Sequence, residues 1–319
     1  MEKMSIKLLH ERQSWTLSQK VDHTLGVIDQ FISRMGGKVY LAFSGGKDST
    51  VLMHLCEMLK KDILCVFSNT GCELPSIIHF VRKMKDEGHN IHIIRPTKTP
   101  RQVWEEQGFP LVGKKIAHHA NICQGCVKNG KDFPWYITDE KSFYFVPEKW
   151  RYLFYEPYRV NDACCKVLKK DPMHKFSKES ALFPIIGVMA SESRMRSLEY
   201  VRQGQCNSFE EGNIKSLPLS IWLEEDIWQF IKDRNIEIAD IYYKGALRTG
   251  CAACGFGCQF PDDTRLQLLM ENYPKYYDMV MNFTNNGITY REAMRKMLAV
   301  NGLYLPDENP QLSFDFKFD

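Results

Sequence analysis

Apolar and polar positions over the first hundred residues alternate between two patterns. Trp15, Leu17, Val21, Leu25, Ile28, Phe31 and Ile32 recur at helical spacing, which predicts one N-terminal helix over residues 11–35. KVYLAF (38–43) then reads as a buried strand, STVLMHLCEMLKK (49–61) as a helix and DILCVFSN (62–69) as a second buried strand. LPSIIHFVRKMKDEG (74–88) predicts another helix and NIHIIRP (90–96) a third strand. Strands that are apolar without alternation are covered on both sides. This order therefore predicts an α/β fold: a mostly parallel sheet with helices on both faces.

The pattern breaks from about 97 to 163 into polar and aromatic stretches such as KWRYLFYEPYRV (149–160), read as a cysteine-rich helical insertion. The sheet resumes at ALFPIIGVMA (181–190), and EEDIWQFIKDRN (224–235) is a helix with acids at its start. TRLQLLMENYPKYYDMVMNF (264–283) predicts further helix, and the residues from Pro306 read as a loosely held tail. The predicted organisation is an N-terminal helix (1–37), a main α/β domain (38–260) carrying the insertion, and a helical C-terminal extension with its tail (261–319).

Composition narrows the class. Apolar residues make up 44% and charged residues 25%, ordinary for a soluble enzyme. No apolar run reaches the roughly 18 residues of a membrane span, and the opening MEKMSIKLLHERQSW lacks a secretion pattern. A cytoplasmic protein with no membrane partner is expected. The net charge of +3 does not by itself argue for nucleic acid, but Lys166, Lys169, Lys170, Lys175 and Lys178 cluster in one short segment.

The string SGGKDST, Ser44 to Thr50, falls at the carboxyl end of the first predicted strand, where open α/β sheets bind ligands. Gly45 and Gly46 let successive N–H groups point into one concavity, which suits an anion. Lys47 adds a point charge, and Ser44, Ser49 and Thr50 add hydroxyls. The helix beginning there adds the positive end of its dipole. Asp48 is the acid of the string, suited to Mg2+ or to capping that helix. A plain glycine-rich turn is the competing reading; seven letters with strand and helix flanks favour the phosphate site. The spacing is not that of a Walker loop. It resembles the PP-loop of the ATP pyrophosphatases, which cleave ATP between the α and β phosphates. That resemblance implies an adenine nucleotide alpha hydrolase-like fold with ATP and Mg2+ as cofactors.

Eleven cysteines are many for a reducing compartment and point to metal or redox chemistry. Cys56 and Cys65 lie in apolar runs and read as core; Cys72 and Cys206 are isolated and receive no role. Cys164 and Cys165 are adjacent, which strains one tetrahedral zinc but suits a cluster offering separate irons. With Cys251-Ala-Ala-Cys254 downstream, the pattern resembles the 4Fe-4S site of assimilatory adenylyl-sulfate reductases, a branch of the phosphoadenylyl-sulfate reductase family. FSNTGCELP (67–75) resembles that family's strand ending in a TG turn, implying adenosine contacts from Asn69, Thr70 and Gly71. GVMASESRMR (187–196) resembles its arginine-bearing substrate loop, and PLSIWLEEDIWQFI (218–231) its segment before the CxxC. Zinc or a plain structural role is the competing reading of these cysteines, and Cys258 is an alternative fourth ligand. Cys123-Gln-Gly-Cys126 is a second pair whose spacing suits zinc, a redox couple or a persulfide carrier, and it resembles the central cysteines of tRNA 2-thiocytidine synthetases.

Two features depart from the reductases. Their nucleophilic cysteine lies on a C-terminal segment, whereas here no cysteine follows Cys258 in the sequence. Their phosphate loop tends to be degenerate, whereas SGGKDS is intact. The chain is therefore read as an ATP-dependent sulfur-transfer enzyme. It resembles the ATP pyrophosphatase component of DNA phosphorothioation systems, with Lys47, Asp48, Ser49 and Arg194 in catalytic positions. Arg194, Arg196, Arg248 and the 166–178 lysines would hold a phosphate-rich acceptor, DNA or tRNA. A sulfur donor such as a cysteine desulfurase, and a homo-oligomer or multiprotein complex, are the implied partners. The alternatives are a sulfonucleotide reductase, borrowing a thiol from Cys123, Cys126 or a partner, and a non-enzymatic component that binds ATP and a cluster.

Overall fold

The computed structural model describes residues 5–308 of the chain. In chain order the elements begin with α1 (Ile6–Gln13), α2 (Leu17–Arg34), β1 (Val39–Phe43), α3 (Lys47–Met58), β2 (Cys65–Ser68), α4 (Pro75–Asp86) and β3 (Ile91–Ile94). They continue with α5 (Pro100–Gln107), β4 (Leu111–Val112), α6 (Lys114–Lys128), α7 (Trp135–Thr138), α8 (Asp171–Ser180), β5 (Phe183–Ile186) and α9 (Arg194–Gln203). The rest are β6 (Asn207–Ser208), β7 (Lys215–Ser216), α10 (Glu224–Arg234), β8 (Gly255–Phe256), α11 (Arg265–Asn272), α12 (Pro274–Met281), β9 (Thr284–Asn285), β10 (Ile288–Thr289) and α13 (Tyr290–Ala299).

Two compact units interleave along the chain. One comprises Met1–Asn69, Ser76–Ile94 and Pro172–Tyr243; the other comprises Thr70–Pro75, Arg95–Asp171 and Lys244–Asp319. The first unit holds the sheet, in the order β3-β2-β1-β5-β7-β6 among the described residues. Every pairing is parallel except β6 against β7. Leu41 of β1 registers with Cys65 of β2 and with Ile185 of β5, and all three side chains are buried. Helices flank the sheet, so the α/β class and the mostly parallel sheet hold. Cys56 and Cys65 are core residues, as their apolar runs predict.

The single N-terminal helix expected over 11–35 is instead two. The chain breaks at Ser14–Thr16, and α2 restarts from a capping box: Gln19 N–H donates to Thr16 Oγ1 while Thr16 N–H donates to Gln19 Oε1 at 2.9 Å. Similarly, the helix read over 264–283 divides at Pro274, which lacks an N–H and pushes Tyr273 out of helical geometry.

The second unit contains the insertion as α5, β4, α6, α7 and a 3-10 helix over Glu148–Phe154. Its core stacks Trp104 on Tyr290, with ring centroids 4.5 Å apart, and Phe109 on Tyr290 at 5.1 Å. The tail expected from Pro306 is tied at its first residues: Tyr277 donates to Asp307 at 2.8 Å and Arg295 to Glu308 at 2.6 Å. The remainder of that expected tail lies outside the described residues. Among the described residues, no helix is long and apolar enough to cross a membrane.

Candidate functional site

β1 is the strand at which the sheet order reverses, with β2 and β3 on one side and β5, β7 and β6 on the other. Ligand crevices form at the carboxyl ends of strands at such a point, and Ser44–Gly46 occupies that end of β1. Gly46 caps α3 in an extended conformation without a side-chain hydrogen bond. Gly45 has φ +70, and a Cβ there would lie 2.7 Å from Val81 Cγ2, so only glycine lets the loop pass so close to α4. On the other side, Gly187 follows β5 and a Cβ on it would meet Asp48 O at 3.2 Å.

The loop hydroxyls hold the turn itself. Ser44 N–H donates to Ser49 Oγ at 3.1 Å and Gly46 N–H to Ser44 Oγ at 3.3 Å. Ser49 Oγ and Thr50 Oγ1 donate to Gly46 O at 2.9 and 3.1 Å. Thr50 is fully buried, which makes its hydroxyl a loop-building group.

Lys47 is 2% exposed and its Nζ lies 3.1 Å from Glu224 Oε1 and 3.3 Å from Asp48 Oδ1. Trp228 and Tyr242 face the ammonium at 5.9 and 5.8 Å. Burial pulls its pKa down, but Asp48, Tyr242 and Glu224 together outweigh that pull and leave it raised. Lys47 N–H donates to Tyr242 OH at 2.9 Å. Glu224 and Trp228 lie in the PLSIWLEEDIWQFI segment, to which sequence reading assigns no role toward the turn, and Tyr242 carries no motif; the acids opening α10 are the sequence signal that leads to Glu224.

Burial raises the Asp48 carboxyl, offset in part by Lys47. Oδ1 pairs with the Lys47 ammonium at 3.3 Å and is otherwise a buried acceptor with lone-pair capacity to spare. Such an atom fits a cation ligand. Asn69 N–H donates to Ile94 O at 2.9 Å. Arg194 opens α9, is exposed, and has no ion pair among the described residues, whereas Arg196 is taken by Glu192.

Thr70 and Gly71 belong to the second unit. Thr70 N–H and Oγ1 donate to the Glu73 carboxylate at 3.0 and 2.7 Å, and Cys72 N–H donates to Thr70 Oγ1 at 3.1 Å. This turn sets Cys72 beside the downstream pair: Ala252 N–H donates to Cys72 O at 2.6 Å, and Glu73 bridges Cys251 as an antiparallel partner. Cys72 is thus a member of the cysteine group that sequence reading left without a role, and its place directly after the TG turn was the available signal. Its thiol is hydrogen-bonded to Cys251; that bond lowers the pKa of Cys251 and raises that of Cys72.

Cys164 and Cys165, both free thiols, are also hydrogen-bonded to each other. The bond pushes the first thiol up and brings the second down to about 6, with Lys114, Lys169 and Lys170 favouring the thiolate. Cys164, Cys165, Cys251 and Cys254 lie within electrostatic reach of one another. Cys258 lies within electrostatic reach of Cys254 as well; its Sγ donates to Cys254 O at 3.3 Å and receives Arg265 Nη2 at 3.7 Å. Cys123 and Cys126 sit one turn apart on α6, where burial pushes Cys123 up to about 12. Among the described residues, no three His, Cys, Asp or Glu side chains converge on a single metal-ion position.

Two segments of the chain, residues 38–130 and 114–255, match the model of the phosphoadenosine phosphosulfate reductase domain. An uncharacterized protein of Methanocaldococcus jannaschii is 23% identical over 82% of this chain, which spans only 52% of that protein's length. An adenosine 5'-phosphosulfate reductase of Geobacillus kaustophilus is 23% identical over 80% of this chain and 88% of that protein. A phosphoadenylyl-sulfate reductase structure from Candida auris, in complex with phosphate, matches at 14% identity and a TM-score of 0.43 over 70% of this chain and 84% of that one. The matched domain runs from Lys38 to Gly255, through both the SGGKDST turn and the Cys251–Cys254 pair, and on that extent the chain belongs to the phosphoadenosine phosphosulfate reductase domain family.

Proposed function

We propose that the chain is an ATP-dependent sulfur-transfer enzyme that cleaves ATP between its α and β phosphates and thiolates a nucleic acid. The observation that carries this reading is the intact SGGKDST turn at the sheet's switch point, with a fixed ammonium paired to a carboxylate whose Oδ1 is a buried acceptor at one helix start. An acceptor oxygen attacks the α-phosphorus, the bond to the bridging oxygen breaks, and pyrophosphate leaves with that electron pair; a sulfur nucleophile then displaces AMP.

Lys47, steadied by Glu224, places positive charge where the phosphates arrive, and the N-terminus of α3 adds its dipole. Asp48 would hold Mg2+, which when bound neutralises the leaving pyrophosphate. Arg194, exposed and unpaired among the described residues, is suited to an acceptor phosphate. Four thiols within electrostatic reach of one another, two of them adjacent in sequence, suit a cluster that offers separate irons to neighbouring side chains. Cys164, Cys165, Cys251 and Cys254 would hold a 4Fe-4S cluster, which supplies electron or sulfide chemistry when bound. Cys123 and Cys126, lacking a third donor among the described residues, suit a redox pair better than closed zinc coordination.

The second reading, a sulfonucleotide reductase, is favoured by the names of relatives such as the Geobacillus kaustophilus protein. The deciding experiment incubates anaerobically purified chain with Mg2+ and ATP, with and without DNA or tRNA, and separately with adenylyl sulfate and a dithiol. AMP and pyrophosphate from ATP, lost in Lys47→Ala, support the proposal. Sulfite and AMP from adenylyl sulfate, with ATP untouched, overturn it in favour of the reductase.

A further inference from the structure

The insertion carries a surface feature that neither the phosphate turn nor the cysteine group uses. Trp135, Phe143 and Tyr155 are 73%, 70% and 66% exposed, and Tyr144 is 50% exposed. Large aromatic side chains left this open within so short a segment form a patch that calls for a partner. The rings are not scattered: Trp135 contacts Tyr136 at 6.1 Å between centroids, Tyr136 contacts Tyr144 at 5.6 Å, and Tyr144 contacts Phe143 at 5.4 Å. His119 flanks the row at 5.5 Å from Tyr144. The contacts from Trp135 through Tyr136 and Tyr144 to Phe143 are edge-on, so each ring is braced by its neighbour.

Cations accompany the row. Lys115 sets its Nζ 5.7 Å from the Phe143 ring and donates to Phe143 O at 3.1 Å. In the same segment Lys128, Lys131 and Lys141 are exposed and have no ion pair among the described residues, while Lys114 acts on the Cys165 thiolate. Along the chain, the segment 115–144 that carries the row holds four lysines, Lys115, Lys128, Lys131 and Lys141, against three carboxylates, Asp132, Asp139 and Glu140. The strip is therefore aromatic and net cationic. A protein partner selects aromatics but disfavours lysine at its interface core. A polyanion with flat π faces selects both.

We propose that the Trp135–Tyr136–Tyr144–Phe143 row with its flanking lysines binds single-stranded nucleic acid, bases stacking on the rings and phosphates meeting the lysines. The inference deepens the nucleic-acid acceptor of the proposed function and rests on it for its purpose. Its test needs neither ATP nor chemistry.

Full-length chain, purified anaerobically, is titrated without nucleotide into fluorescently labelled single-stranded DNA, single-stranded RNA and a DNA duplex of the same length, at several salt concentrations. Trp135→Ala and Phe143→Ala are each expected to weaken single-strand binding about 5- to 150-fold, with far smaller loss on duplex. Lys131→Gln is expected to reduce the slope of log affinity against log salt by about 0.7. A preference for DNA or for RNA identifies the acceptor polymer; either supports the proposal. Variants that bind single strands like the parent overturn it, as does a parent that binds neither polymer. Self-association of the parent that disappears in Trp135→Ala, without nucleic-acid binding, also overturns it and makes the row a contact between copies. Because the side chains replaced are largely exposed, an unchanged circular dichroism spectrum checks the fold. Loss of pyrophosphate release with binding intact would count against the ATP reading alone.

Discussion

Replacing Gly45 with alanine probes how the phosphate turn is built. With φ +70, an L residue at this position costs about 1–2 kcal/mol in backbone strain. The added Cβ would also stand 2.7 Å from Val81 Cγ2 and 2.9 Å from Ile77 Cγ2. Both methyls belong to β-branched side chains restricted to one rotamer in α4, and they are 0% and 1% exposed. Neither can retreat unless the helix moves, and overpacking of this kind costs about 1–3 kcal/mol. The total is about 2–5 kcal/mol. Gly37→Ala separates the two contributions, because Gly37 has φ +76 but a Cβ there meets nothing within 4 Å. Urea midpoints at unchanged m compare the variants, and the added stability in Mg2+-ATP reports whether the turn still binds. Gly45→Ala should lose about 1–3 kcal/mol more than Gly37→Ala and should alone lose stabilisation by ATP. Equal midpoints and equal response to ATP would show that the approach of α4 is not what reserves this position for glycine.

Burial raises the Asp48 carboxyl, so the folded chain holds that proton more tightly than the unfolded chain does. Its contribution to stability is therefore present below the unfolded value and falls as pH rises through the raised pKa. Asp48→Asn should remove the fall in stability that this group contributes as pH rises from the ordinary carboxylate range through its raised pKa, while abolishing Mg2+-dependent ATP cleavage; an unchanged profile refutes the assignment. Iron counted per purified chain should fall in Cys165→Ala and Cys251→Ala but persist in Cys258→Ala, whose thiol is held by Cys254 O and Arg265. If Cys251 holds the proposed cluster, Cys72→Ala should retain iron and shift the reduction potential downward, since it removes a hydrogen bond to the Cys251 sulfur. Lys20 and Asp226, 1% and 9% exposed, pair at 2.5 Å. Lys20→Met should cost about 3–5 kcal/mol by urea denaturation, and adding Asp226→Leu should recover only part of it, because the same carboxylate accepts the Leu223 N–H at 2.7 Å.

What was legible in the sequence was what depends on local pattern. β1, β2 and β3 show themselves because strands covered on both faces must be continuously apolar, and SGGKDST shows itself because one turn gathers its own donors. The break at Thr16 was hidden because the apolar spacing from Trp15 to Leu17 runs through the cap without interruption; the Thr16 and Gln19 pair marks it only when capping chemistry is considered. Pro274 was a visible stop inside a pattern that otherwise stayed helical. The surroundings of Lys47 were hidden for a different reason. Glu224, Trp228 and Tyr242 reach it only through tertiary packing, and a helix read for its amphipathicity does not reveal which polar end meets a distant loop. Cys72 looked isolated because its partner Cys251 is brought to it by a bridge between residues far apart in sequence.

The tyrosine hydroxyl that accepts the Lys47 N–H makes the turn a site with a built-in competitor. An anion that takes this N–H must first displace an intramolecular ligand present at fixed effective concentration. With a net hydrogen-bond worth of about 0.5–1.5 kcal/mol, the apparent dissociation constant rises about two- to twelvefold over that of an unblocked turn. Tyr242→Phe should then bind nucleotide more tightly than the parent, and the difference is the affinity that the chain gives up to keep the Lys47 N–H satisfied from within.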